Sequence, residues 1–510
     1  MITTLKKLVL ALLIPLFLAC MVMWGVVNSL KPDTIKAYVN EELQRLTNES
    51  GQIKGDVSWH VFPRPRIKMT HVQIGDPRSA SPFAITIDNL LLNLKLTQLL
   101  RGNLVFSELN VDGFTVEIDQ RANRISPPTQ AKPPRGIEPL AHQFAIKNVM
   151  LSHGKLILTR DQSQVIFSGL QIGAEQFNLR QQSFPFQLKS KVTVNKKGQP
   201  FAHTQFLFKG NTRLTAQWLS DAELKSLPLF GQLTLLDLSI QQLKVDRLQA
   251  NTSYKEGILD LNPLTLSLYR GESVGDLHYD PQQARLQLNQ TATDLDSNRL
   301  IHDLFARKLL KGRLDFSLHT AIDLHDFKWP QSITGKGNIT VKDGTLMAMN
   351  VNQMIQETNA RINSLFLNQS ATDQPAKPEE TLTNAAFFKG NTDFKLMASQ
   401  YRIENGLLNS HLFVLQTNRL QLKGGGQMNL LDYSLSGTLL AKVIFKNENA
   451  DKIQQLLGGA IPLLVKGTLI EPLILPDMKK INPLLTQTFI TETLTMPVKA
   501  VHNQLKAMLH

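Results

Sequence analysis

The sequence predicts a mainly β protein, built as an elongated, curved, repetitive antiparallel β-sheet groove with an N-terminal transmembrane helix and a few flanking helices. Three observations predict this class. Apolar and polar residues alternate with period two over most of residues 51–477, one spacing of apolar residues recurs along the chain, and an uncharged run lies near the N-terminus. A chain of 510 residues is long enough for several domains or for one repetitive body.

The uncharged run at residues 8–27 predicts a membrane anchor. As a helix it is about 30 Å long at about 1.5 Å per residue, enough to cross a bilayer core. Lys6 and Lys7 precede it and favour a cytoplasmic N-terminus, which puts the body outside the cytoplasm. Two alternatives are a cleaved signal peptide and a lipoprotein modified at Cys20, but no small-residue cleavage site follows the run and apolar sequence continues past Cys20.

The body divides into segments by composition and periodicity. An apolar stripe predicts a helix over residues 31–47, strands follow from Gly51, and two polar, proline-bearing stretches interrupt them. A further helix is predicted over residues 351–367 and another near the C-terminus. We expect these segments: 1–30, cytoplasmic stub and anchor; 31–120, helix and β-groove unit; 121–139, Pro-rich linker; 140–345, central β-sheet repeats; 346–384, helix and disordered insertion; 385–478, C-terminal β-sheet; 479–510, helical tail.

The recurring spacing is apolar-x-x-apolar-x-apolar. Such recurrence is typical of a repetitive, open-ended β architecture. The copies are Met69/Val72/Ile74, Phe106/Leu109/Val111, Ile146/Val149/Leu151, Phe167/Leu170/Ile172 and Ile240/Leu243/Val245.

Residues 418–443 predict a hairpin in which glycines alternate with leucines on the apolar face. The apolar positions are even-numbered up to Leu430 and odd-numbered from Tyr433, and this parity change marks the turn. Gly424, Gly426 and Gly437 lie on the same parity as the apolar residues. Either they keep the face low and leave room for a guest molecule, or they mark bulges and bends of a curling sheet.

Charge and motifs exclude several function classes. The formal charge is +13, but Lys and Arg are scattered singly, so we expect no nucleic-acid partner and favour a surface near anionic lipid head groups. The segment around Gly424 lacks the Gly-Lys-Ser/Thr end of a phosphate loop, and the 12 histidines show no metal-binding spacing. No nucleophile elbow is present. We therefore expect no catalytic residues, no metal and no cofactor, and an enzyme is not the expected class.

Blocks of the chain resemble the AsmA family of bacterial envelope proteins, in the wider group that includes TamB. The blocks occur in family order and include GDVSWHVFPRPRIKMTHVQIG at residues 55–75 and a segment at 83–118 that contains Leu-x-Val-Asp-Gly. The others are residues 263–276, 335–344, 401–406, 424–426 and 465–477.

The resemblance implies an inner-membrane anchor, a periplasmic body with a lipid-holding β-groove, and a role in outer-membrane biogenesis and phospholipid movement. Phospholipid or another envelope lipid would be the ligand, and outer-membrane assembly proteins are possible partners. The rival hypothesis is a scaffold whose sheet edges capture strands of outer-membrane proteins. The groove candidates on the predicted hairpin are Leu420, Leu422, Gly424, Gly426, Met428, Leu430, Tyr433, Leu435 and Leu439.

Overall fold

The computed structural model is almost entirely β-structure. It describes residues 51–60, 65–75, 83–95, 106–119, 145–215, 227–347, 349–353, 355, 390–444, 454–455, 457–481 and 483. The described strands are assigned to one 22-stranded sheet, so the predicted mainly β class is confirmed. The chain divides into two compact units: unit 1 contains Met1–Leu268 and Gly275–Gln283, and unit 2 contains Tyr269–Val274 and Ala284–His510.

Unit 1 contains twelve complete strands and part of a thirteenth. The third strand pairs with the first and second along one side, and the remaining strands then pair in chain order. The strands are β1 (Gly51–Ile53), β2 (Val57–His60), β3 (Arg66–Ile74), β4 (Phe83–Leu94), β5 (Phe106–Asp119), β6 (Ala145–Arg160), β7 (Ser163–Asn178), β8 (Phe184–Lys196), β9 (Gln199–Thr212), β10 (Leu229–Ile240), β11 (Leu243–Lys255), β12 (Ile258–Leu268) and β13 (Gly271–Asp280), whose residues are shared between the units.

In unit 2, strands β14 to β22 pair in chain order, each antiparallel to the next. One helix, α1 (Ser297–Phe305), lies between the first two of these strands in sequence. The strands are β14 (Arg285–Asp296), β15 (Leu310–Asp323), β16 (Ile333–Leu346), β17 (Thr392–Glu404), β18 (Leu407–Gln416), β19 (Leu420–Asn429), β20 (Leu435–Val443), β21 (Ile461–Gly467) and β22 (Pro472–Pro476).

The prediction of an antiparallel sheet is wrong at one pair of strands. β5 and β6 are parallel, with Phe106 opposite Ile146 and Asp119 opposite Thr159. A parallel neighbour requires the chain to return to the same end of the sheet, which takes a dozen or more residues. The Pro-rich segment predicted at 121–139 falls within this connection and lies outside the described residues.

The recurring apolar spacing has a structural cause that simple alternation does not predict. At these positions two consecutive residues face away from the buried side, so the alternation changes phase. Four residues with φ between 51° and 71° mark such changes: His71 and Gly169 lie inside the first and fourth copies, whereas Gly113 and His153 lie two residues after the second and third copies. Their neighbours on the buried side are aligned across β3 to β7 in the order Val72, Ile87, Phe114, Gly154 and Leu170. In β3, β5, β6 and β7 the copies therefore contain, or directly precede, backbone irregularities that are aligned from strand to strand.

The last copy of the spacing, at Ile240 and Leu243, is instead a two-residue hairpin turn. These two residues pair directly, and Gln241 between them has φ of 54°.

Several predicted segments cannot be compared with the structure. The anchor at 8–27, the helix at 31–47 and the insertion at 368–383 lie outside the described residues. Of the helical tail predicted over 479–510, only residues 479–481 and 483 are described, and they are helical. Of the helix predicted over 351–367, only residues 351–353 and 355 are described, and they are helical. The division between units 1 and 2 falls inside the predicted central block 140–345.

Candidate functional site

One apolar row of register partners crosses unit 1 from β2 to β12. Because side chains alternate between the two faces of a strand, residues in register across neighbouring strands share a face. No member of this row is polar. The row is Val57, Met69, Leu90, Val111, Leu151, Ile172, Leu188, Phe208, Leu233, Ala250 and Leu264.

Burial of this face decreases along unit 1. Met69 and Leu92 on the early strands are fully buried, at 0% exposure, and belong to a continuous hydrophobic core over β1 to β8. On the later strands Leu188, Leu233 and Leu235 are only half-buried. Phe208, Ala250 and Leu264 of the same row remain buried. The apolar face is thus closed at its N-terminal strands and only partly accessible from about β8 onward.

Unit 2 has an equivalent apolar face. One row crosses β14 to β21, and all of its members except Met397 are buried. That row is Leu295, Leu314, Val341, Met397, Leu415, Leu422, Ala441 and Ile461.

A second row of unit 2, nearer the other end of the strands, is more accessible. Leu288, Leu408, Met428 and Leu435 are half-buried there. The complete row is Leu288, Thr320, Gly335, Ile403, Leu408, Met428 and Leu435. Across unit 2, the apolar face therefore changes from closed to accessible along the length of the strands.

The hairpin predicted at residues 418–443 is present as β19 and β20. Leu420 pairs with Val443 and Met428 with Leu435, so the two parities do share one face, as predicted. Leu420, Leu422 and Leu439 are buried on that face, whereas Met428 and Leu435 are half-buried.

Two of the candidate residues lie outside the strands. Leu430 and Tyr433 belong to the turn that follows Asn429, and Tyr433 has φ of 59°. The Tyr433 ring is 37% exposed and packs edge-on against Phe305 of α1, with 5.3 Å between the ring centroids. Tyr433 therefore contacts the helix instead of extending the row of β20.

The glycines of the hairpin lie where neighbouring backbones come unusually close. Gly426 is directly opposite Gly437. A Cβ atom on Gly426 would lie 2.7 Å from the Ser436 carbonyl oxygen and 2.8 Å from the Gly437 Cα. A Cβ on Gly424 would lie 2.1 Å from the Thr438 carbonyl oxygen. Only glycine fits this approach without a backbone shift, which supports the bend interpretation.

The same device occurs in unit 1. Gly210 pairs with Gly231 on the apolar face, and a Cβ on Gly210 would lie 2.2 Å from the Phe230 carbonyl oxygen. Glycine pairs at close backbone approaches are therefore a feature of both units.

Aromatic side chains use some of the space that glycine leaves. Tyr401 is opposite Gly337, and a Cβ on Gly337 would lie 2.7 Å from the Tyr401 hydroxyl. That hydroxyl donates a hydrogen bond of 3.2 Å to the Ser317 carbonyl oxygen on the next strand. Burial raises the pKa of Tyr401 above its usual value of 10.0. This part of the face is filled by the protein itself.

Helix α1 is fixed at both ends near the apolar face. The Asp296 side chain accepts hydrogen bonds from the backbone N–H groups of Asn298 and Arg299, which caps its N-terminus. The Tyr269 hydroxyl donates to the Asp303 carboxylate at 2.9 Å, and Phe305 contacts Tyr433.

The face also contains a buried polar pair that sequence reasoning missed. Gln290 lies in register with Leu318, between the apolar rows, and accepts a hydrogen bond of 2.6 Å from Ser273. Gln290 has the same even parity as Leu286, Leu288 and Ala292, and this pattern in the sequence could have predicted a polar side chain on the apolar face.

The remaining features bear on membranes and metals. Among the residues described from Gly51 onward, no helix has the length and apolar character needed to cross a bilayer. Within the same residues, no three potential metal-binding side chains cluster together.

Comparison with known proteins identifies the family. A comparison with characterised proteins gives no match. The model of the AsmA family matches residues 1–238 and 232–413, which is well over half of the chain. The family predicted from the sequence blocks is thereby confirmed: the chain belongs to the AsmA family.

Proposed function

We propose that this protein is an inner-membrane-anchored, periplasmic lipid-binding protein that holds phospholipid tails on its apolar β-face and supports outer-membrane biogenesis by moving them between membranes. The observation that carries the proposal is the accessible part of that face. In unit 1 it includes the half-buried Leu233 and Leu235 on β10, and in unit 2 it includes Met428 and Leu435. Family membership supports a role in the bacterial envelope.

Physical chemistry favours hydrocarbon as the occupant. A soluble protein rarely leaves a long apolar sheet face open to water. Moving a tail of ~10 CH₂ groups into water costs about 8 kcal/mol at ~0.8 kcal/mol for each group. A continuous apolar face lowers this cost at each step, so transfer along it needs no reaction centre. The proposed function is accordingly not enzymatic and uses no metal or cofactor.

Position-specific photocrosslinking in cells tests this proposal in the full chain. Adjacent residues of one strand face opposite sides, which provides a matched control. A photoreactive residue at Met428 on the apolar face should crosslink to lipid, whereas one at Gln427, exposed on the other face, should not. Leu248 and Arg247 on β11 form an equivalent pair in unit 1. Equal lipid labelling at both members of each pair would contradict the proposal.

The rival function is a scaffold that captures strands of outer-membrane proteins at the sheet edges. Among the described strands of unit 2, β22 pairs only with β21, and it has five residues with proline at both ends, Pro472 and Pro476. Short edge strands and proline both oppose further strand pairing. A photoreactive residue at Leu473 tests the rival directly. Crosslinks there to a β-barrel protein, together with no lipid at Met428, would favour the scaffold.

A further inference from the structure

Five large apolar side chains are exposed at one end of the strands of unit 2. We call them the apolar rim. Trp329 is 59% exposed, Phe327 50% and Leu431 63%. The rim consists of Leu324, Phe327 and Trp329 in the β15–β16 loop, and Leu431 and Tyr433 in the β19–β20 turn.

These loops form one continuous surface. Gly406, in the β17–β18 turn, lies against the β15–β16 loop, because a Cβ placed on it would be 3.1 Å from the Pro330 ring. The same glycine's carbonyl oxygen accepts a hydrogen bond of 2.9 Å from the Leu430 N–H. On the other side, the Leu324 N–H donates to the Ala284 carbonyl oxygen at 2.7 Å.

The exposed side chains are held in place by the backbone of their loops. The Lys328 N–H donates to the Ser332 hydroxyl, and the Ser332 N–H donates back to the Lys328 carbonyl oxygen, both at 2.9 Å. In the other loop, the Tyr433 N–H donates to the Asn429 carbonyl oxygen at 2.9 Å. The apolar rim is therefore presented by hydrogen-bonded turns.

A shallow basin lined by cations lies at the same end of unit 2, on the polar face of the sheet. Its volume is about 500 Å³, and Arg285, Lys336 and Arg402 line it together with His319 and one carboxylate, Glu404. Arg402 approaches Glu404 at 3.6 Å. We call Arg285, Lys336 and Arg402 the cation basin.

The register places like charges side by side in this basin. Lys336 is directly opposite Arg402, so two cations are neighbours across β16 and β17. Like charges directly opposite each other destabilise a sheet. Within the described residues, no carboxylate lies within ion-pair distance of Lys336. An anion between the strands would remove this repulsion.

Together the two features match the chemistry of a bilayer surface. Trp, Phe and Leu beside Lys and Arg are the residues that partition into the interface between head groups and acyl chains. The rim also lies beyond the accessible apolar row of unit 2, at the end of the strands that carry Leu288 and Leu435. We propose that this end of unit 2 docks on a bilayer containing anionic phospholipid, with the apolar rim inserted and head-group phosphates in the cation basin.

This docking is distinct from the holding of single lipid tails. It would survive if photocrosslinking at Met428 gave no lipid, and it would fail separately if the rim stayed in water.

Depth-dependent quenching tests the insertion in the full chain. The sequence contains one cysteine, Cys20, so Cys20→Ser gives a background for a single fluorescent label. The label is placed at Trp329→Cys, or as a matched control at Lys395→Cys, an exposed position near the opposite end of β17. Each variant is reconstituted in vesicles of phosphatidylethanolamine and phosphatidylglycerol that carry nitroxide on the acyl chains.

We expect quenching at position 329 to exceed that at 395 by at least about threefold, because only the rim enters the bilayer. Equal quenching at the two positions overturns the proposal. A label at Phe327→Cys guards against a local effect of replacing Trp329 and should give the same result.

The cation basin is tested by its dependence on anionic lipid. The double variant Lys336→Ser/Arg402→Ser should lose the extra quenching that phosphatidylglycerol gives over vesicles of phosphatidylcholine alone. The control Lys311→Ser/Lys395→Ser removes the same charge from exposed positions elsewhere in unit 2 and should keep it. If both double variants lose it equally, net charge and not the basin attracts the membrane, and the assignment of phosphates to the basin is overturned.

Discussion

The glycine pair of the β19–β20 hairpin provides the sharpest prediction about stability. Gly426→Ala places a methyl group 2.7 Å from the Ser436 carbonyl oxygen and 2.8 Å from the Gly437 Cα, and both groups are backbone. In an ordinary strand, replacing glycine by alanine gains roughly 0.5–1 kcal/mol. Forcing an extra carbon into a filled space costs about 1–3 kcal/mol. We expect a net loss of about 1–2 kcal/mol in the free energy of unfolding.

Hydrogen exchange over residues 420–443, measured by mass spectrometry on the full chain, reads this loss locally. Gly173→Ala is the control, because its Cβ would meet only the side chain of Gln187, at 3.3 Å, which can move aside. In this variant, exchange over β7, which contains Gly173, should be unchanged or slightly slower than in the wild type. If the hairpin of Gly426→Ala exchanged no faster than that of the wild type, close backbone approach would not explain why glycine occurs at these positions. The width of the groove would then be the better explanation.

The same geometry limits what a larger substitution can show. Gly426→Phe tests groove width only if the hairpin still folds, and the contacts of the Cβ alone predict that it is strained. Substitution at a half-buried apolar residue separates lipid binding from folding more cleanly.

Three further predictions concern the same face of unit 2. Met428→Glu should reduce the lipid recovered with the purified full chain at least about tenfold, because a carboxylate beside a hydrocarbon tail is costly. Gln427→Glu, on the opposite face, should leave the lipid yield unchanged. Equal lipid yields from the two variants would refute the assignment of the faces. Leu422→Ala should cost about 2–5 kcal/mol in denaturant unfolding, because Leu422 is 2% exposed; a cost under about 1 kcal/mol would show that this row is not a packed core. Burial raises the pKa of Tyr401 above 10.0, so the contribution of Tyr401 to stability is present below that pH and is lost as the pH rises through the folded-state pKa. Tyr401→Phe should therefore lessen the fall in melting temperature at alkaline pH. An unchanged fall would contradict this.

Much of the local structure could be predicted from the sequence because period-two alternation is a direct consequence of strand geometry. The hairpin is the clearest case: the parity change between Leu430 and Tyr433 predicted its pairing, and Met428 is opposite Leu435 as required. The family was likewise predicted from short blocks in a fixed order and then confirmed.

The candidate site was harder to predict because exposure of a face depends on what packs over it. Met69 and Leu233 belong to one apolar row, yet one is fully buried and the other half-buried. Tyr433 was grouped with the strand by parity, but a positive φ turns it toward Phe305. Neither outcome has a signal in the spacing of apolar residues.

By itself, the sequence determined that the chain is a succession of strands with one apolar face, because the pattern of side chains along a strand is local. Tertiary structure alone decided where that face is open, that β5 and β6 run parallel, and that Lys336 lies between His319 and Arg402. These properties depend on the register between strands far apart in sequence, which no short segment specifies.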